Sequence, residues 1–166
     1  MSQTSQGENT ADPVQDVVAD FEVCARHAIE CLLNRPTQLS KSFRIQAKFE
    51  AEPGIRCIIE SGNESHLLVI SLGLTESDLR TIFSDEEDEE MRLDAIGEMA
   101  NILAGRLFRR PIFHSHFGCM CASVPSFAVP GHGVGNSRVV RGILSVGSAN
   151  MILELAIDSK ARGGIE

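Results

Sequence analysis

One segment of this 166-residue chain carries polar side chains whose types and spacing can do chemistry. Asp94, Glu98 and Asn101 recur at steps of four and three residues within the stretch DAIGEMANILAGR. In an α-helix these three residues and Gly105 gather on one side, and we call this line of residues the polar stripe. Carboxylates accept hydrogen bonds and an amide both accepts and donates them, so the stripe can orient a bound molecule.

A polar stripe on a helix is usually no more than its solvated face, and the opposite side of this segment is apolar. The apolar side consists of Leu93, Ile96, Ala100, Leu103 and Leu107. Asparagine, however, has no propensity reason to lie in the middle of a helix. Gly97 and Gly105 flank the stripe, and a glycine there costs about 1 kcal/mol relative to alanine. We therefore expect another surface to approach the stripe closely.

In this context the sequence resembles the CheC/CheX/FliY phosphatases of bacterial chemotaxis, most specifically the CheX branch. The resemblance runs from about Phe21 to Ile157. Besides the stripe it includes the small-residue region around Ala25 and a Val-Pro pair at Val124-Pro125. The resemblance implies a CheC-like α+β fold, a largely antiparallel sheet of about six strands packed with two long helices.

CheC-type members carry two copies of the motif, and CheX-type members carry one. The first predicted helix has Asp16, Asp20 and Val23 at the equivalent spacing. Valine cannot orient water, so the first helix is not expected to carry a second site. A single site per chain fits the CheX branch.

The resemblance implies an enzyme that dephosphorylates the aspartyl-phosphate of a CheY-like response regulator. Asn101 would orient the attacking water and Glu98 would pair with the regulator's lysine. Asp94, Gly97 and Gly105 would belong to the partner-binding surface. The regulator supplies Mg²⁺, so the chain is expected to need no metal or cofactor of its own. The alternative is a non-catalytic adaptor of the same fold that binds a response regulator or a flagellar switch component.

Composition limits the partners. The formal net charge is −8, and the sequence has no Trp and no Tyr, which argues against nucleic acid as a partner. No apolar run approaches the length of a bilayer span, so no membrane association is expected. The five cysteines are an odd number without a secretion signal, which predicts reduced thiols and a cytoplasmic location.

Apolar periodicity predicts a long helix opened by Pro13, a short helix at about 75–83 and a second long helix at about 88–109. Strand-like runs are Phe43–Ala51, Ile55–Glu60, Ser65–Leu72, Ile112–Ala122, Arg138–Gly147 and Met151–Ile157. Turn signals at Pro53-Gly54 and Gly62-Asn63 predict that the first three runs form an antiparallel meander.

The predicted domain covers residues 13–158, between a polar, disordered tail at 1–12 and a frayed end at 159–166. Its last two strands are rich in Val, Ile and Leu. If they lay at the edge of the sheet they would pair with a second copy of the chain. A homodimer is also what the resemblance to CheX implies.

Two further patterns suggest other sites. His114, His116, Cys119 and Cys121 are zinc-type ligands packed into eight residues. In a strand the imidazoles would point to one face and the thiols to the other, so we predict exposed imidazoles, buried thiols and no metal.

The glycine-rich segment at 131–135 does not lead a strand into a helix. It is therefore interpreted as a connection and not as a phosphate-binding loop.

Overall fold

A computed structural model describes residues 12–47, 54–83, 88–127 and 138–160 of the chain. The elements within these ranges are α1 (Pro13–Leu33), β1 (Gln38–Gln46), β2 (Ile55–Gly62), β3 (His66–Leu74), α2 (Glu76–Ile82), α3 (Glu89–Leu107), α4 (Pro111–Phe117), β4 (Cys121–Ala122), β5 (Ser126–Phe127), β6 (Arg138–Val146) and β7 (Ala149–Ser159). The predicted α+β class with two long helices is confirmed. The predicted tails lie largely outside the described residues, as does the segment at 131–135. No helix in the described ranges is long and apolar enough to span a membrane.

The strands form one antiparallel sheet in the order β1-β6-β7-β3-β2-β4, and β5 also pairs with β2. It has seven strands where about six were expected, because the chain after α4 contributes two strands of two residues each. The predicted hairpin between β2 and β3 is present, and Gly62 pairs with Leu67 next to its turn. Asn63 closes this turn by accepting hydrogen bonds from the N–H groups of Ser65 and His66.

The predicted three-strand meander is wrong at its first member. β1 pairs with β6, near the other end of the chain, and not with β2. It begins at Gln38, five residues before the predicted start. The residues from 48 to 51 of the predicted run lie outside the described ranges. The polar segment before Phe43 has no alternation of its own, and it becomes a strand because β6 offers a hydrogen-bonding edge.

The last two strands do not lie at the edge of the sheet, so the condition for pairing with a second chain through them is not met. β6 lies between β1 and β7, and β7 lies between β6 and β3. Their Val, Ile and Leu content has a different cause, because both strands are buried along most of their length. Central strands that are buried on both faces carry nearly continuous apolar runs.

The two long helices cover one face of the sheet. α1 packs against β1, β6, β7 and α3, while α3 packs against β2 and β3. The core between them includes Phe21, Ile96, Leu103 and Leu153, all fully buried. Phe43 of β1 contacts Phe21 edge-on, and its ring occupies the space where a side chain at Gly142 of β6 would lie.

The opposite face of the sheet contains buried charges. Glu154 of β7 pairs across the ladder with Ser71 and Arg141, so these side chains share one face. The Glu154 carboxylate is fully buried and bonds two guanidinium groups, that of Arg56 at 2.9 Å and that of Arg141 at 3.2 Å. This triad joins β2, β7 and β6 on the face away from the long helices.

The predicted strand at Ile112–Ala122 is wrong, because the segment begins as helix α4. Phe113 and Phe117, four residues apart, are both buried against the core. Pro111 occupies the first turn of α4, and Gly118 ends it with φ of 73°. These are start and stop signals of a helix.

Candidate functional site

Helix α3 positions the polar stripe, and its start is well defined. The Asp88 carboxylate accepts a hydrogen bond from the Met91 N–H at 2.8 Å and caps the first turn. Glu89 and Glu90 in that turn and Arg106 in the last turn suit the helix dipole. The apolar side of α3 is buried against α1 and the sheet. This packing fixes the orientation of the helix, so the stripe on the opposite side faces solvent.

The stripe is on the outer surface of the protein. Asp94, Glu98, Asn101 and Gly105 are all exposed. A convex helix face cannot surround a small substrate in the way that a cleft does. These side chains can, however, reach into a cleft of another protein and add a carboxylate and an amide to groups already there.

The two glycines of α3 differ in their surroundings. Gly97 is buried, and a Cβ built on it would lie 3.7 Å from Cβ of Pro125 in the same chain. The surface that approaches Gly97 is therefore intramolecular, and a partner would meet Pro125 first. Gly105 is exposed, and a Cβ there would have nothing within 4 Å. Among the described residues, no neighbouring atom is close enough to require a glycine at position 105.

Replacing Gly105 with alanine should therefore stabilise the isolated protein. The added methyl group fits without contact and removes part of the helix penalty of glycine, up to about 1 kcal/mol. Thermal melting should show a midpoint higher by roughly 2–4 °C. Gly142→Ala is the matched control and should destabilise the protein, because its methyl group would overlap the Phe43 ring. A lower midpoint for Gly105→Ala would show that the glycine is needed for folding.

Segment Cys121–Phe127 places Pro125 against α3. It runs along β2, with Gly62 opposite Cys121 and Cys57 opposite Phe127. Sequence reasoning did not anticipate this contact. The Val-Pro pair was part of the resemblance, but nothing local in the sequence indicates that Pro125 packs on a glycine of α3.

The acidic residues of α1 that share the spacing of the stripe are engaged by the chain segment around α4. The Asp20 carboxylate is bonded by the Arg110 guanidinium at 2.9 and 2.5 Å. This ion pair raises the pKa of Arg110. Oδ2 of Asp16 lies 2.9 Å from Nε2 of His116. Val23, the third residue at this spacing, is exposed. These contacts give Asp16 and Asp20 a structural role.

The four histidine and cysteine residues do not form one cluster. In helix α4 the two imidazoles point in different directions, His116 toward Asp16 and His114 toward Cys119, whose Sγ lies 3.3 Å from Nε2. Both Cys119 and Cys121 are exposed, so the prediction of buried thiols is wrong. The buried thiols are Cys24 and Cys57, and burial raises the pKa of Cys57 to about 11. Among the described residues, no group of three or more His, Cys, Asp or Glu could hold a metal ion.

Comparison with known proteins places this architecture in one structural class. No protein-family model matches the sequence, and no curated protein sequence matches it. Solved structures do match. The chemotaxis protein CheX from Vibrio vulnificus aligns with a TM-score of 0.65 at 14% identity, over 86% of this chain and 99% of that chain.

Two further structures share the fold. CheX in the CheX-CheY-BeF3-Mg²⁺ complex from Borrelia burgdorferi aligns with a TM-score of 0.59 at 15% identity, over 86% of this chain and 97% of that chain. The FliM middle domain from H. pylori aligns with a TM-score of 0.61 at 8% identity, over 87% and 88% of the two chains. The chain therefore has the CheC-like fold. Within that class it is similar to CheX proteins over most of its length.

Proposed function

We propose that this protein is a CheX-like phosphatase that hydrolyses the aspartyl-phosphate of a CheY-type response regulator. The observation that carries the proposal is the exposure of Glu98 and Asn101 on the outer face of α3, in a chain with the CheX fold. The CheX complex with CheY, beryllium fluoride and Mg²⁺ supports a regulator as the partner.

The chemistry required from the stripe is positioning. An acyl phosphate is already activated, so the barrier depends on placing a water molecule in line with the leaving carboxylate. Asn101 has a neutral amide that accepts a hydrogen bond from this water without bringing negative charge to the phosphoryl group. Glu98 would be repelled by the phosphoryl group as a base, and it instead pairs with the regulator's lysine to fix the docked geometry.

The chain contributes no metal in this mechanism. Mg²⁺ is bound by the regulator at its phosphorylation site and neutralises charge on the phosphoryl oxygens. Asp94, one turn before Glu98, contributes to docking and solvation. A hundredfold gain in hydrolysis corresponds to about 2.7 kcal/mol of transition-state stabilisation, which two well-placed polar groups can supply.

Phosphate release tests the function directly. Purified CheY-type receiver domains are phosphorylated with a small-molecule phosphodonor in the presence of Mg²⁺, and release of inorganic phosphate is followed with and without this protein. We expect faster release from at least one receiver domain at substoichiometric protein. Binding of a receiver domain without acceleration would favour the alternative, a non-catalytic adaptor of the same fold.

The proposal includes a homodimer, whose interface is an edge of the sheet other than the last two strands. Among the described residues, β1 is the long strand at the edge of the sheet and pairs with β6, so its other side is where a second chain would add a strand. A twofold pairing through a sheet edge leaves the stripe of each chain free. Sedimentation at micromolar concentration should give about twice the chain mass of 18.0 kDa. A mass near that of one chain at every concentration would contradict the dimer.

A further inference from the structure

An apolar ridge borders the polar stripe. It consists of Val124 and Pro125, and we call it the docking ridge. Val124 is 84% exposed, while Pro125 packs on Gly97. Gly97 directly precedes Glu98 and lies one turn before Asn101, so the ridge is next to both proposed functional side chains.

The backbone of the docking ridge is held firmly on β2. The Ser123 N–H donates to the Glu60 carbonyl at 2.8 Å, and the Glu60 N–H donates to Ser123 Oγ at 3.1 Å. On the preceding side, the Ser61 hydroxyl donates to the Cys121 carbonyl at 2.8 Å. Val124 is therefore presented to solvent by an anchored segment, and its side chain contributes almost nothing to packing in the isolated protein.

A second exposed apolar side chain extends the stripe at its other end. Met91 is 58% exposed and lies seven residues before Glu98, two turns away on the same line of α3. Asp94 and Glu98 lie between Met91 and Asn101. At the C-terminal end of the stripe, exposed Gly105 has no side chain that would keep a partner away from the helix. The whole surface combines two carboxylates with apolar groups on its flanks, which matches a partner surface that offers a cation beside apolar side chains.

We propose that the docking ridge and Met91 are the apolar part of the surface that binds the phosphorylated receiver domain. This inference rests on the proposed function and specifies how the partner is recognised. Asp94 and Glu98 face the lysine beside the phosphoaspartate, and Val124 is buried against the receiver domain next to that site. Since Pro125 is seated on Gly97, the ridge adds buried apolar area beside Asn101 and so contributes affinity, while Glu98 fixes the docked geometry.

Binding of an activated receiver domain tests this assignment. The probe is the receiver domain identified by phosphate release, loaded with beryllium fluoride and Mg²⁺, and its Kd is measured for wild type and Val124→Ser. We expect Kd to rise roughly tenfold, because the valine methyl groups are no longer buried in the complex. The hydrolysis rate at saturating protein should stay within about twofold, since Asn101 is unchanged.

Val23→Ser is the matched control, because Val23 is an exposed valine on α1 at the position equivalent to Asn101. It should leave Kd and rate unchanged. Equal Kd values for wild type and Val124→Ser in an active protein would overturn the docking assignment alone. A wild-type protein that neither binds nor accelerates any receiver domain would overturn the proposed function, and the docking assignment with it.

Discussion

Replacing Asn101 with alanine should abolish stimulated dephosphorylation, with a loss of about a hundredfold or more in the maximal rate. Asn101 is exposed on α3, and in the proposed mechanism its amide acts on water only in the transition state. Its loss should therefore lower the rate and leave the Kd for the receiver domain nearly unchanged. Phosphate release and titration with the beryllium fluoride complex measure the two quantities separately.

Asn150→Ala is a suitable control for this experiment, because Asn150 is also an exposed asparagine but lies at the start of β7. Its substitution should not affect the reaction. Glu98→Ala is expected to raise Kd and lower the rate together, since in the proposed mechanism Glu98 fixes the docked geometry. If Asn101→Ala retains full stimulation with a receiver domain that the wild type dephosphorylates, the proposed mechanism is wrong.

The largest effect on stability is expected from Glu154→Gln. The carboxylate is fully buried between Arg56 and Arg141, and the substitution removes its charge without changing its size. Breaking a buried ion pair from one side typically costs about 3–5 kcal/mol, because buried charge loses its compensation. Chemical denaturation should show a loss of about 3 kcal/mol in the free energy of unfolding.

Glu76→Gln provides the comparison at the surface. Glu76 pairs with Arg80 on α2, and both side chains are largely exposed. Such pairs contribute about 0–1 kcal/mol, so this substitution should change stability little. Equal effects of the two substitutions would mean that the buried triad contributes no more than a surface pair.

The two long helices and the stripe were predictable because their signals are local. The spacing of Ile96, Leu103 and Leu107 identifies the buried side of α3, and the stripe is what remains on the opposite side. The hairpin of β2 and β3 was also predictable, since Gly62 and Asn63 mark its turn. Each of these features depends on residues that are close to one another in the sequence.

The features that escaped prediction depend on distant partners or on competing local signals. Nothing near β1 shows that its partner is β6, and nothing near Pro125 shows that it packs on Gly97. Helix α4 was missed for another reason. The run Ile112–Ala122 was predicted to be a strand, although Phe113 and Phe117 at helical spacing already indicated a buried helix face.

The pairing of β1 with β6 has a consequence for biosynthesis. Gln38 is matched with Ser145, so β1 must wait for a strand that is translated much later. Until β6 and β7 have been synthesised, β1 lacks its pairing strand, and α1 lacks two of the strands against which it packs. Pairings over such distances in sequence fold slowly and leave hydrophobic segments open to aggregation. The nascent chain should therefore depend on chaperones until the hairpin of β6 and β7 emerges.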